Sequence, residues 1–422
     1  MFKCHRKDNT SKAWRYLCGL IQGNRAMGET KKLVYDAEYY QFQHFITDSP
    51  WDSRPVMDKI AQEADRLIGS DSMNCLRLNQ VRFLKQSNTS PGMIVVQGDG
   101  FKKYRCQIAV CGALSSNDQS ALIDTELYLP EFWTGSPRRC EKAGIPESAQ
   151  QYCTMAELAS RIVERQRQAG LRFACVCVGN ILGDKLELCR RLDDSGEKFM
   201  VRAPHELMGF PENPLDANGK RLKLSPWYPA QLCILGYHIP PEKQERVTVR
   251  KAAAAEQYDV CRRHVWFLDR DAKTARRYWL YERKDHNFKR EYFLSNLPED
   301  TTLAQLAQTE SNQFLADRAI DDGAEVGMGD YQIRSWRGWH HHMTMVMLAA
   351  LFRLKHQIIA GSNAAELSDQ DIRAMLDDLL LKQARPEQRT MEPLKVPSHS
   401  LLGVGKDSGS LKTSSPDRNR VA

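Results

Sequence analysis

Arg334 and Arg337 alternate with Trp336 and Trp339, and His340, His341 and His342 follow directly. Guanidinium beside indole can stack on bases or clamp phosphates, and it can equally form cation–π and ion pairs inside a core. The core role is the expectation here. Consecutive helical residues point about 100° apart, so three adjacent histidines cannot share one metal as an i, i+4 pair does. Packing and hydrogen bonding at a helix start are expected of them instead. Asp317, Asp321 and Glu325 fall on one helical face at i, i+4 and i+8. One helix cannot wrap a two-metal site, so an acidic solvated face is the plainer reading. Gly98-Asp-Gly-Phe-Lys-Lys103 reads as a hairpin turn whose lysines could touch a phosphate. No Walker loop, G-x-S-x-G elbow or zinc-ligand spacing occurs.

Basic residues crowd the start of the chain. Residues 1–35 hold eight Lys/Arg, among them Lys12, Arg15, Arg25, Lys31 and Lys32, against Asp8 and Glu29. The net charge of the whole chain is only +7, so nearly all of it sits in this block. Beside Trp14, Tyr16 and Tyr35 it suits a polyanion, because lysine and arginine displace counterions from phosphates. A solvated basic leader is the equal alternative.

Positioning such residues takes a sizeable frame, and 422 residues with 42% hydrophobic and 27% charged composition suffice for two or three domains. Twelve cysteines contain no C-x-x-C pair, and Cys175 and Cys177 lie in an apolar strand-like run. Reduced buried thiols in a cytoplasmic protein are expected. Neither a signal peptide nor a membrane span is legible: the longest apolar stretch, Met343 to Phe352, is half the ~20 residues a span needs.

Residues 12–70 read mainly as helix, with Ser53 as N-cap and Pro55 in the first turn of the last one. Strand-like runs follow at 75–80, 93–97, 106–114 and 121–129. Thr154-Met-Ala-Glu157 is a capping box before Leu158, Ile162 and Val163. A buried strand is expected over 171–178, a helix over 185–194 and a strand over 198–203. Antiparallel strands, a helix, then a strand joining the same sheet is the order of an RNase H-like core. The fold class expected is therefore α/β. Its segments are a basic helical DNA-binding region (1–70), a first part of the mixed-sheet core (71–204), a β-rich insertion (205–297), C-terminal core helices (298–382) and a disordered tail (383–422).

Four segments carry a resemblance to bacterial insertion-sequence transposases of the DDE type, the IS-four-like group. They are Gln43-His-Phe-Ile-Thr-Asp-Ser-Pro-Trp-Asp52, Ala121-Leu-Ile-Asp-Thr-Glu-Leu-Tyr-Leu-Pro-Glu-Phe-Trp133, Phe293-Leu-Ser-Asn-Leu-Pro-Glu-Asp-Thr301 and the Trp/His segment. The resemblance implies an RNase H-like core, a β-rich insertion before the last catalytic helix, double-stranded DNA as partner, and Mg²⁺-assisted strand cleavage and transfer. Two Mg²⁺ ions want hard oxygen ligands, supplied in such enzymes by two Asp and one Glu. The positions here that match the triad are Asn79, Gly179 and Asp317, with Gln313 where the family has Arg and Ala324 where it has Lys. The formal charge at those positions falls from about −3 to −1, too little to hold two adjacent cations. Asp99, Asp124 and Asp184 lie nearby but several residues from the matching places.

Three functions are compatible with these residues. The first is a transposase-derived DNA-binding protein without cleavage activity, serving as a regulator, as a dominant-negative partner of an active relative, or in no role as a decaying element, and as a homodimer or heterodimer. The second is an active transposase using displaced carboxylates, and the third a protein-interaction scaffold. The first expects no resident cofactor, the second Mg²⁺.

Overall fold

A computed structural model describes residues 2–4, 7–22, 36–69, 74–86, 89–97, 102–116, 118–222, 228–251, 254–269, 273–330, 334–360 and 367–381. Arg25, Lys31, Lys32, the Gly98–Phe101 turn and the tail from 383 lie outside them. Among the described residues, the helical stretch expected over 12–70 holds three helices: α1 (Thr10–Ile21), α2 (Asp36–Thr47) and α3 (Ser53–Ile68). Ser53 is the first residue of α3 rather than its cap. Asp52 caps it, its carboxylate accepting from the Arg54 N–H at 2.9 Å.

Ten strands form one mixed sheet. Its core strands are β1 (Cys75–Leu84), β2 (Ile94–Gln97), β3 (Lys103–Ser116), β4 (Gln119–Leu127), β5 (Cys175–Val178) and β6 (Phe199–Ala203). β1 pairs antiparallel with β3, and β3 with β4 on part of its length and β2 on another. On its other side β1 runs parallel to β5, and β5 parallel to β6. The core order β4-β3-β1-β5-β6 is the RNase H-like arrangement expected. Of the segment 171–178 only Cys175–Val178 is strand, although Leu171 and Phe173 are buried. Four further strands, β7 (Glu245–Lys251), β8 (Ala254–Leu268), β9 (Ala275–Lys284) and β10 (Arg290–Ser295), continue the same sheet through β10, antiparallel to β6. Residues 1–381 form one compact unit.

The period-two pattern of β1 divides the core. Leu76 and Leu78 join the main hydrophobic cluster with α3, α4 (Met155–Gln168), α5 (Lys185–Asp194) and the long α8 (Trp336–Ala360). Cys75 faces the other way, into a smaller cluster with Cys175, Cys177, Met200, Leu306 and Ala307. The helix α6 (Leu303–Ser311) completes that side, and α7 (Phe314–Glu325) follows it with Ala319 in the main cluster. The Thr154–Glu157 capping box forms as read. In α8 all residues from Met343 to Phe352 are buried, so this stretch, in which Thr344 is the polar residue, lies inside the fold. A last helix, α9 (Asp369–Leu381), closes the described chain. No helix among the described residues is long and apolar enough to cross a membrane.

Candidate nuclease-type site

β1 and β5 pair in parallel up to Leu78 and Val178, and the ladder then runs past the end of β5. Gly179 N–H donates to the Leu78 carbonyl and Gln80 N–H to the Asn180 carbonyl, both at 3.0 Å. This register brings Gly179 beside Asn79, a hundred residues earlier in sequence. The Asn79 amide is held from both ends: its Oδ1 accepts the Asn180 N–H at 3.0 Å, and its Nδ2 donates to Asp317 Oδ1 at 2.6 Å. Because the backbone N–H demands an oxygen opposite, the amide's orientation is set, and its NH₂ must face Asp317. Asn79, Gly179 and Asp317 thus converge on one point.

Asp317 lies in the first turn of α7, where the helix N-terminus favours an anion. It remains open to solvent, yet its carboxyl is held above the usual range. Partial burial is the main cause and Asp321 adds to it; the Asn79 hydrogen bond and Arg202 act the other way. Glu325, two turns on, pairs with Arg353 at 2.6 Å, so the acidic face of α7 is solvated except where Asp317 meets the sheet.

Gln313 sits at the N-cap of α7 without capping it. Its side chain turns to the sheet, where Oε1 accepts from Arg77 Nη1 at 3.4 Å and Nε2 is buried with no hydrogen-bond acceptor among the described residues. A Cβ at position 179 would collide with Asn79 Oδ1 and lie 2.8 Å from Gln313 Nε2. The two amides therefore fill the room that a side chain at 179 would need. Arg77, fully buried, bonds Ser115 Oγ at 2.6 Å and the Thr309 carbonyl at 3.1 Å, tying α6 to the sheet. Around the point is a small cavity of about 70 Å³, with Cys177, Met200, Arg202 and Glu310 on its walls. Glu310 is neutralised by Arg283 at 2.6 Å, and Arg202 is held by Glu291 at 2.5 Å.

A pair of Mg²⁺ ions needs several anionic oxygens with free lone pairs. Asp317 supplies one carboxylate, and Asn79 covers one of its oxygens with an N–H. Gly179 supplies nothing, and Gln313 turns its NH₂ inward. The residues present do not fit such a pair. Among the described residues no three His, Cys, Asp or Glu group as a metal site. Asp124 lies elsewhere, fully buried and bonded to Arg54, Arg165 and Gln166 at 3.0, 2.9 and 2.5 Å. Asp184 is spent as the N-cap of α5. Asp99 lies outside the described residues.

The other residues singled out fall apart from this point. Lys12 and Arg15 sit on α1, half-buried and exposed respectively. Arg334 is exposed, and Arg337 donates to the Asp48 carbonyl at 3.2 Å. The expected stacking of these arginines on the tryptophans is replaced by His340, whose ring lies 4.3 Å from Trp336 and 4.8 Å from Trp339. The histidines pack and hydrogen-bond at the start of α8, as read. His341 is flanked by the Ile46 and Trp51 carbonyls, both at 2.8 Å, and stacks on Trp51 at 3.8 Å. His342 meets Tyr16 Oη at 2.9 Å and the Gly327 carbonyl at 3.1 Å. Sequence reasoning passed over Arg77, Asn180 and Arg202. Arg77 was findable, since period-two spacing puts it on the face of Asn79; the other two needed the strand register.

An RNase H-like sheet and the start of α7 thus bring Asn79, Gly179 and Asp317 together. Residues 2–260 match the family described as DDE superfamily endonuclease, and the chain belongs to that family. It is also similar to a piggyBac transposase seen by cryo-EM in a synaptic complex with hairpin DNA. The likeness has 12% identity and a TM-score of 0.40, over 89% of this chain and 72% of that one. No curated protein matches the chain.

Proposed function

We propose that this protein is a DNA-binding derivative of an insertion-sequence DDE transposase that no longer cuts DNA. One observation carries the reading: the Asn79 amide bonds Asp317 directly, across the point where paired cations would be held. An Asp–carboxylate pair there needs cations to offset its repulsion, whereas an amide–carboxylate pair is complete without them. Lys12, Arg15, Arg25, Lys31 and Lys32 supply the phosphate contacts, with Arg334 and Arg337 at the start of α8. The protein acts in the cytoplasm, occupying transposon-end DNA or pairing with an active relative. An active enzyme using displaced carboxylates is disfavoured by the roles of Asp124 and Asp184 as ion-pair centre and helix cap.

The test is a nicking assay on duplex carrying candidate terminal repeats, with Mg²⁺ or Mn²⁺, beside a calorimetric Mn²⁺ titration. The expected result is DNA binding without nicking and no Mn²⁺ uptake. Specific nicking overturns the reading. The same titration on Asn79→Asp, Gly179→Asp, Gln313→Ala, the last to clear room beside position 179, is expected to recover Mn²⁺ binding.

A further inference from the structure

Among the described residues β2 pairs with β3 and stands last in the sheet order on that side. Between it and the short helices Glu131–Thr134 and Pro137–Ala143 lies an open slot of about 300 Å³. Met93 and Val95 line one wall, Phe132, Arg139 and Lys142 the other, and buried Trp133 closes the floor. The walls are tied in place: Trp133 Nε1 donates to the Met93 carbonyl at 3.0 Å, and Arg139 Nη1 to the Phe132 carbonyl at 3.3 Å. The Arg139 guanidinium lies 5.3 Å from the Phe132 ring centre and 5.9 Å from that of Trp133. Phe132 is nevertheless 52% exposed, a large aromatic surface held open to water.

Charge narrows the occupant. Arg139 and Lys142 line the slot and, among the described residues, no carboxylate does; Glu131 and Glu141 belong to the same helices but not to its lining. Exposed Arg105 stands opposite Val95 across the β2–β3 ladder. An apolar slot with an exposed ring, an arginine over aromatic faces and two cations in its lining matches an unpaired base with its flanking phosphates. Resting on the DNA-binding reading above, we propose that this slot takes an unpaired nucleobase of a DNA strand, stacked on Phe132, with the adjacent phosphates on Arg139 and Lys142. Arg105 is six residues along β3 from Cys111, the partner of Asn79, so the slot lies about 20 Å along the sheet from the nuclease-type site. A bound duplex could thus reach both.

The experiment compares a blunt duplex with the same duplex carrying a short unpaired flank that contains 2-aminopurine. Anisotropy is expected to show the flanked DNA binding about tenfold tighter, with 2-aminopurine quenched on binding. Phe132→Ala removes the preference and the quench but leaves blunt-duplex affinity, while Phe132→Trp keeps all three. Unchanged thermal unfolding shows that the variants fold. Equal binding of the two DNAs, or a preference that survives Phe132→Ala, overturns the slot alone. No binding of either DNA overturns the DNA-binding reading with it. Self-association abolished by Val95→Lys would make this edge a protein-docking strand and also overturn the proposal.

Discussion

Asn79 differs from an aspartate by one NH₂, and that group reorganises its surroundings. An amide has both a donor and an acceptor, so it satisfies the Asn180 N–H and the Asp317 carboxylate at once. A carboxylate can accept only, and at this distance it would face Asp317 as a like charge. Asn79→Asp is therefore expected to lower stability by about 1 kcal/mol at neutral pH, kept small because Asp317 is solvent-exposed. The pH dependence follows from linkage. Two facing carboxylates raise each other's folded pKa, so the folded state keeps a proton that the unfolded chain releases. The loss should shrink as pH falls toward the unfolded carboxylate range and grow above it. Chemical denaturation of both proteins across pH 4–8 measures this; a pH-independent difference would show that Asn79 and Asp317 do not interact.

Among the elements, α8 carries the largest pH liability. Burial pushes His340 and His341 down to about 4 and His342 to about 3. For His341 the two carbonyls favour a proton on each nitrogen, but burial prevails. Groups with depressed histidine pKa bind protons in the unfolded chain first. Stability should thus fall as pH drops below about 6.5 toward 4, by up to about 1.4 kcal/mol per pH unit for each histidine. His341→Ala is expected to cost about 2–4 kcal/mol at pH 7 by removing the one N–H that the neutral ring donates to a buried carbonyl and leaving a void against Trp51. Urea titrations at pH 7.5 and 5 test both, and a flat profile for the parent would sink the account. α4 is anchored through a buried carboxylate: Arg165 and Gln166 hold Asp124, which also binds Arg54 of α3. These bonds fasten two helices to β4 through one carboxylate.

At the scale of the whole molecule the DNA reading predicts a salt signature. Phosphate contacts by Lys12, Arg15 and the neighbouring basic block should make log K fall linearly with log salt, by about 0.9 for each phosphate neutralised. Replacing Lys12 and Arg15 with alanine is expected to lower that slope by about 2 and weaken binding alike across DNA sequences. Anisotropy between 50 and 200 mM salt reads it. An affinity indifferent to salt would favour a protein-interaction scaffold.

Much of the frame is legible before any coordinates exist, because periodicity and caps are local. The alternation in β1, the Thr154 box and the unbroken apolar run of α8 each act within a few residues. The amide at Asn79 and the bare backbone at Gly179 are legible too, since a residue type is known from sequence wherever it folds to. What sequence does not hold is distance. That the Asn79 amide turns its NH₂ to Asp317 depends on a backbone N–H a hundred residues away. That position 179 is filled by two amides depends on the register of β1 against β5 and on where α7 begins. The slot beside Phe132 needs an edge strand and two short helices to meet. Such contacts are set by packing between remote segments, which only the folded chain decides.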